Sequence, residues 1–197
     1  MNESETRKIL NRIYVVYPHS FKDWTEDQRK AYCIVWNECF LNMPYSIVLK
    51  AVTNFISNDD SDFAPKPGQI KQVLLEMISP DTDLESIKAW ESLRRYIRRR
   101  TGESDIDRIE YNKLDWITKR IYSMEDLRSM SMMDSDKIEY RRSEFQRLYK
   151  TLKERKDSED IENGDLVSLA GGKERFLSLG FSTQEFAQIG GVNNGGK

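Results

Sequence analysis

The sequence predicts an all-α protein with a small N-terminal helical bundle, a second helical region and a disordered C-terminal tail. Apolar residues recur at intervals of three and four through most of the first 156 positions, which is typical of amphipathic helices. Capping residues and prolines stand where these repeats begin or end. From residue 157 onward the composition becomes acidic, polar and glycine-rich, and this change predicts the tail.

Residues 1–80 are expected to fold as a four-helix bundle. The first helix ends at Pro18, and the second begins after Thr25, which forms a capping box with Gln28. Pro44 suits the first turn of the third helix, and two further prolines mark the entry to the fourth. The residues expected in the bundle core are Ile9, Leu10, Ile13, Tyr14, Tyr17, Tyr32, Val35, Trp36, Cys39, Phe40, Val48, Ala51, Val52, Phe55, Ile56, Ile70, Val73, Leu74, Met77 and Ile78.

Residues 83–156 are expected to form the second helical region, which is more charged than the bundle. Thr82 and Glu85 form a capping box at its start. Trp90 and Trp116, like Trp36 in the bundle, are expected to anchor helix packing because large aromatic rings bury the most apolar surface. The helices are expected at about 83–100, 107–121, a short stretch from Ser123, and 134–156.

Residues 157–197 are expected to be a flexible tail that carries a partner-binding segment. The spacer up to residue 175 has too few apolar groups to offset the entropy of ordering it. Beyond the spacer, a capping box of Ser182 and Glu185 favours a short helix that folds on a partner. The alternative is that this segment docks on its own domain. The candidate partner-binding residues of the tail are Phe176, Leu179, Phe181, Phe186 and Ile189.

Five arginines fall within seven residues near the end of the first helix of the second region. On a helix they form ridges suited to phosphate or to an acidic protein surface. The alternative is a solvated helix end, where cations interact favourably with the helix dipole. The candidate partner-binding residues here are Arg94, Arg95, Arg98 and Arg99, and Arg100 completes the run.

The residues that catalysis or metal binding would need are missing, so we expect a non-enzymatic protein without cofactor or metal. The only histidine is His19, and nothing in the sequence pairs it with Cys33 or Cys39. The Gly171-Gly172-Lys173 run lacks the first glycine and the Ser or Thr of a P-loop. A net charge of −2 argues against a protein that coats nucleic acid. Reduced cysteines, and the lack of a signal peptide or of an apolar run of about 20 residues, predict a soluble cytoplasmic protein.

Two segments of the chain resemble a known family. In residues 10–78 the resemblance rests on Tyr17-Pro18, Val35-Trp36 and the run FAPKPGQI at 63–70. In residues 89–152 it rests on AWE at 89–91, YNKL at 111–114, IYSMEDLR at 121–128 and SEFQRLYK at 143–150. Both segments resemble the replicative helicase loader/inhibitor family of phages of Gram-positive bacteria.

The resemblance implies an accessory protein of phage DNA replication in the host cytoplasm. Such a protein binds a hexameric DnaB-type helicase, holds it inactive and delivers it to an origin-bound initiator protein, without an ATPase of its own. Weak contact with DNA through the arginines is compatible with this role, and no membrane partner is expected. The family has no catalytic motif, so the resemblance implies no active-site residues.

Two other functions fit parts of the sequence. A DNA-binding regulator or replisome organiser would place one helix of the bundle in the major groove, but the second, third and fourth helices carry few basic residues. A small helical chaperone of virion assembly would share the same composition.

Overall fold

The computed structural model describes residues 1–99 and 104–190, and the regular elements of these residues are all helical. The predicted all-α class is therefore confirmed. A 3-10 turn at Pro18–Phe21 follows the first helix. The helices are α1 Glu3–Val16, α2 Glu26–Cys39, α3 Tyr45–Asn58, α4 Pro67–Ile78, α5 Thr82–Arg99, α6 Ser104–Asn112, α7 Trp116–Ile121, α8 Met124–Met130, α9 Ser135–Tyr140, α10 Arg142–Asn163, α11 Leu166–Leu169, α12 Lys173–Ser178 and α13 Thr183–Gly190.

The chain divides into two compact units, and one of them combines segments from both ends of the chain. The first unit combines residues 1–79 with the chain from residue 157 onward, and we call it the terminal unit. The second comprises residues 80–156 and is called the middle unit. Helix α10 contributes its first part to the middle unit and its last turns to the terminal unit.

Helices α2 and α4 begin where local signals place them, whereas Pro44 precedes α3 as its N-cap residue rather than lying in its first turn. Thr25 and Gln28 form the predicted capping box of α2, and Pro67 occupies the first turn of α4. The buried face of α2 differs from the predicted stripe, because Cys33 is buried with Trp36 whereas Val35 is 48% exposed. Successive helical residues are about 100° apart, so centring the buried face on Trp36 turns Val35 towards solvent.

The prediction of a disordered tail is wrong for residues 157–190. The end of α10 and helices α11 to α13 pack on the bundle, and α11 contacts α4. The physical reason is that the bundle leaves apolar surface on which this segment buries its own, so composition alone underestimates its order. Seven tail residues belong to the same core as α1 to α4: Ile161, Leu166, Leu169, Ala170, Phe176, Phe181 and Ile189. The glycine-rich end at 191–197 lies outside the described residues.

Gly164 allows the tail to approach the bundle closely. Its φ of 72° lies in the left-handed region, which glycine adopts without steric cost. A β-carbon at this position would lie 2.6 Å from the carbonyl oxygen of Asn42, in the connection between α2 and α3. The turn after α10 therefore depends on the absence of a side chain.

The middle unit packs around Trp90 of α5 and Phe145 of α10, whose ring centroids are 5.3 Å apart. Tyr122 stacks on Phe145 with nearly parallel rings. The prediction that Trp116 anchors packing is wrong, because this residue is 46% exposed. Trp116 is the first residue of α7, where the adjacent Ile117 faces the core instead.

Candidate interaction surfaces

The arginines of α5 differ in their surroundings: one packs against another helix, and the others are exposed to solvent. Arg94 is half-buried and forms an ion pair with Glu139 at 3.1 Å, so it ties α5 to α9. The other three predicted arginines are exposed, and among the described residues none of them forms an ion pair. We call Arg95, Arg98 and Arg99 the arginine surface, and Arg100 lies outside the described residues.

A groove of about 340 Å³ lies beside the arginine surface. Arg95 and Arg99 line it on α5, while Asp107 and Glu110 line it on α6. Glu110 forms an ion pair with Lys113, whereas Asp107 is almost fully buried. The groove therefore carries guanidinium groups on its α5 side and carboxyl groups on its α6 side.

Most of the predicted tail residues are buried in the core of the terminal unit. Phe176, Phe181 and Ile189 are buried, and the rings of Phe176 and Phe181 stack at 4.7 Å. The Lys50 ammonium of α3 lies 4.6 Å from the centroid of the Phe181 ring and donates a hydrogen bond to the Gly180 carbonyl. The tail therefore docks on its own domain, and in this fold these three side chains are inaccessible to a partner.

Two predicted tail residues keep some exposure. Leu179 is exposed at the end of α12, and Phe186 is half-buried on α13. The Lys173 ammonium covers the Phe186 ring at 4.7 Å from its centroid. Together these two residues provide far less apolar surface than the five predicted for a partner-binding segment.

The most exposed aromatic residue of the terminal unit was not among the predicted site residues. Phe63 is 78% exposed and lies in residues 59–66, which we call the α3–α4 loop. The sequence shows Phe63 only as part of the entry to α4. The sequence feature that could have indicated its exposure is a large aromatic residue flanked by Asp62 and by the turn residues Ala64-Pro65.

Three hydrogen bonds hold the α3–α4 loop on the bundle. The Tyr17 hydroxyl donates to the Asp59 carboxylate at 2.8 Å, and the Tyr32 hydroxyl donates to the Pro65 carbonyl at 3.3 Å. Between these anchors, the Ala64 amide donates to the Ser20 hydroxyl at 2.9 Å. Burial and the bond to Asp59 raise the pKa of Tyr17 to about 12, and the same bond lowers the pKa of Asp59.

Cys33 and Cys39 are free thiols, and burial raises the pKa of Cys33, which disfavours the reactive thiolate. Residues 1–99 and 104–190 contain no cluster of His, Cys, Asp or Glu that could hold a metal ion. Across the same residues, no helix has both the length and the hydrophobicity needed to cross a membrane.

One comparison with known proteins found a family model similar to the N-terminal part of the chain. The family model for the N-terminal domain of the helicase loader/inhibitor of phage SPP1 matches residues 1–71, which span α1 to α3 and the first residues of α4. Comparisons with curated proteins and with solved structures found no match. The match confirms, over residues 1–71, the predicted resemblance to the phage helicase loader/inhibitor family.

Proposed function

We propose that this protein is a phage replication accessory protein that binds a hexameric DnaB-type helicase, holds it inactive and loads it at the origin through an initiator protein. The observation that carries the proposal is the match of residues 1–71 to the N-terminal domain of the phage helicase loader/inhibitor. The matched residues make up most of the bundle, including the 3-10 turn at Pro18–Phe21 and the α3–α4 loop.

The protein is proposed to act by binding alone, without hydrolysing ATP. The Gly171-Gly172-Lys173 run joins α11 to α12, and Gly172 precedes a helix of six residues. A P-loop instead joins a strand to a helix and wraps its backbone amides around phosphates. Any energy for loading would then come from the helicase.

The arginine surface is proposed as a second contact, on the middle unit. Its three exposed guanidinium groups attract acidic side chains of the helicase or the initiator, and such contacts speed association as well as strengthening it. Residues 80–156 contain 19 Lys and Arg against 16 Asp and Glu, so the middle unit has a small basic excess although the whole chain is acidic. Weak contact with DNA would use the same groups.

The proposal is tested by retaining a purified DnaB-type helicase on the immobilised full chain, with and without ATP, and by assaying DNA unwinding. Retention of the helicase and slower unwinding are expected, followed by recovery of unwinding when the initiator and origin DNA are added. Helicase that passes through unretained, with unwinding unchanged, contradicts the proposal. ATP hydrolysis by the chain alone that survives repurification contradicts the non-enzymatic mode of action.

A further inference from the structure

We infer that the α3–α4 loop is a docking element, with Phe63 as its anchor, for a basic helicase surface that contains an apolar pocket. The inference rests on the proposed function and names the part of the bundle that meets the helicase. It follows from the exposure of Phe63, from the rigidity of the loop and from the charge around the ring.

The exposure of Phe63 contrasts with the packing of the other aromatic residues in the bundle. Phe21, Trp24 and Tyr32 contact one another in edge-on or tilted arrangements, with ring centroids 5.0 to 5.8 Å apart. Among the described residues, Phe63 has no aromatic ring contact, although Tyr32 is bonded to Pro65 two residues further on. The loop is thus fixed to an aromatic core while its own ring points away from that core.

The anchoring of the loop prepares Phe63 for binding. An isolated exposed apolar side chain carries little information by itself, since folded proteins have many. Here, however, Ser20 and Tyr32 hold the backbone directly after Phe63, at Ala64 and Pro65. Before Phe63, the Tyr17 hydroxyl holds the side chain of Asp59. A ring on a fixed backbone loses little conformational entropy on binding, and rings of this kind are frequent among the residues that dominate binding energy.

The surroundings of Phe63 specify the chemistry of the partner. Asp60 and Asp62 are exposed within three residues of Phe63 in the same loop, and Asp59 is held as a carboxylate by the Tyr17 hydroxyl. The loop has one base, Lys66, against these three acids. An exposed aromatic ring on an acidic loop complements a basic surface with an apolar pocket, and like charge disfavours acidic surfaces.

A shallow cleft next to the ring extends the docking surface. Its volume is about 650 Å³, and its lining includes Phe63, Ser20, Ser61, Lys66 and Gln69. A partner that receives the ring therefore also meets hydroxyl and amide groups suited to hydrogen bonding at the rim of an interface.

The test measures the affinity of the full chain for a DnaB-type helicase with two variants, Phe63→Ala and the double variant Asp60→Lys/Asp62→Lys. Phe63→Ala is expected to weaken binding about tenfold or more, as truncation of an anchor does. The double variant is expected to weaken it strongly at low salt and less at high salt, because salt screens exposed charges. The control is Tyr140→Ala, which removes an aromatic ring that is 88% exposed on the middle unit.

Direct contact is tested by placing a photo-crosslinking benzophenone side chain at position 63 or, as a control, at position 140. A crosslink to the helicase from position 63 and none from position 140 is expected. Full affinity of both variants, with no crosslink from position 63, overturns the inference but leaves the proposed function standing. If the unmodified chain fails to bind the helicase, both fail. Unchanged melting temperatures exclude unfolding as the cause of any loss.

Discussion

Truncating Phe176 tests whether the C-terminal segment is part of the terminal unit. Its side chain is fully buried and stacks on Phe181, and it belongs to the same core as Trp36 and Ile47. Replacing a fully buried Phe with Ala typically costs about 3–5 kcal/mol, through lost transfer free energy and the cavity that remains. For a unit of this size each kcal/mol lowers the melting temperature by several degrees, so Phe176→Ala should lower it by about 10 °C or more.

The assay is thermal and urea unfolding of the full chain followed by near-UV circular dichroism. Leu179→Ala is the matched control, because Leu179 lies three residues further along the same segment and is exposed. A substitution at an exposed site should change the free energy of unfolding by no more than about 0.5 kcal/mol. Phe176→Ala should therefore shift the unfolding of the terminal unit, while Leu179→Ala should leave it in place.

Equal unfolding midpoints for Phe176→Ala and the unmodified chain would refute the packing of the segment on the bundle. The flexible tail expected from composition would then be the better description. The exposed Phe176 of such a tail would again be a candidate for contact with a partner.

Three further predictions concern other parts of the molecule. Gly164→Ala should destabilise the terminal unit by about 1–3 kcal/mol in urea unfolding, because of its positive φ and its close approach to Asn42, and an unchanged midpoint would contradict this. The pKa of Asp59 is lowered from its ordinary value of 3.8, so its ionised carboxylate should stabilise the fold above pH 3.8. This contribution should be lost as the pH falls through the lowered pKa. In Tyr17→Phe, NMR titration of Asp59 should show its pKa closer to 3.8, and an unmoved pKa would exclude the bond as the cause. Changing the whole arginine surface to Glu should weaken helicase or DNA binding at low salt without loss of helical content, and unchanged affinity would leave these arginines as solvated residues.

Several helix starts were predictable because their signals are local. The predicted capping residue of α5 was wrong, because Thr82 lies within the helix and the Asp81 carboxylate accepts from the Asp83 and Leu84 amides. The capping box of Thr25 and Gln28 is present in α2, and the box of Ser182 and Glu185 precedes α13, inside the segment that was expected to be disordered. Capping depends on a few neighbouring residues, so the sequence contains what is needed to identify it.

The docking of the tail was not predictable from composition, because it depends on a surface distant in the sequence. Lys50 and Ser79 contact the tail through the Gly180 carbonyl and the Arg175 guanidinium, and no local pattern links these positions. Composition describes what a segment can bury by itself, whereas here the bundle provides the apolar surface.

Helix α6 shows a second limit of sequence patterns. In this helix the apolar Ile106 and Ile109 are exposed, whereas Asp107 between them is buried. The position of α6 beside α5, at a groove lined by charged side chains, decides which face is buried. The exposure of Phe63 likewise depends on tertiary structure. It could be recognised only in the structure, because the anchored loop holds the ring away from the core.

The most direct test of the proposed function is the mass of a DnaB-type helicase, measured by size-exclusion chromatography with light scattering, in the presence and absence of the full chain. We predict that with the chain present the helicase hexamer elutes at a mass increased by bound copies of the chain. A helicase that elutes at its own mass, with the chain in a separate peak at concentrations far above micromolar, would contradict the proposed function.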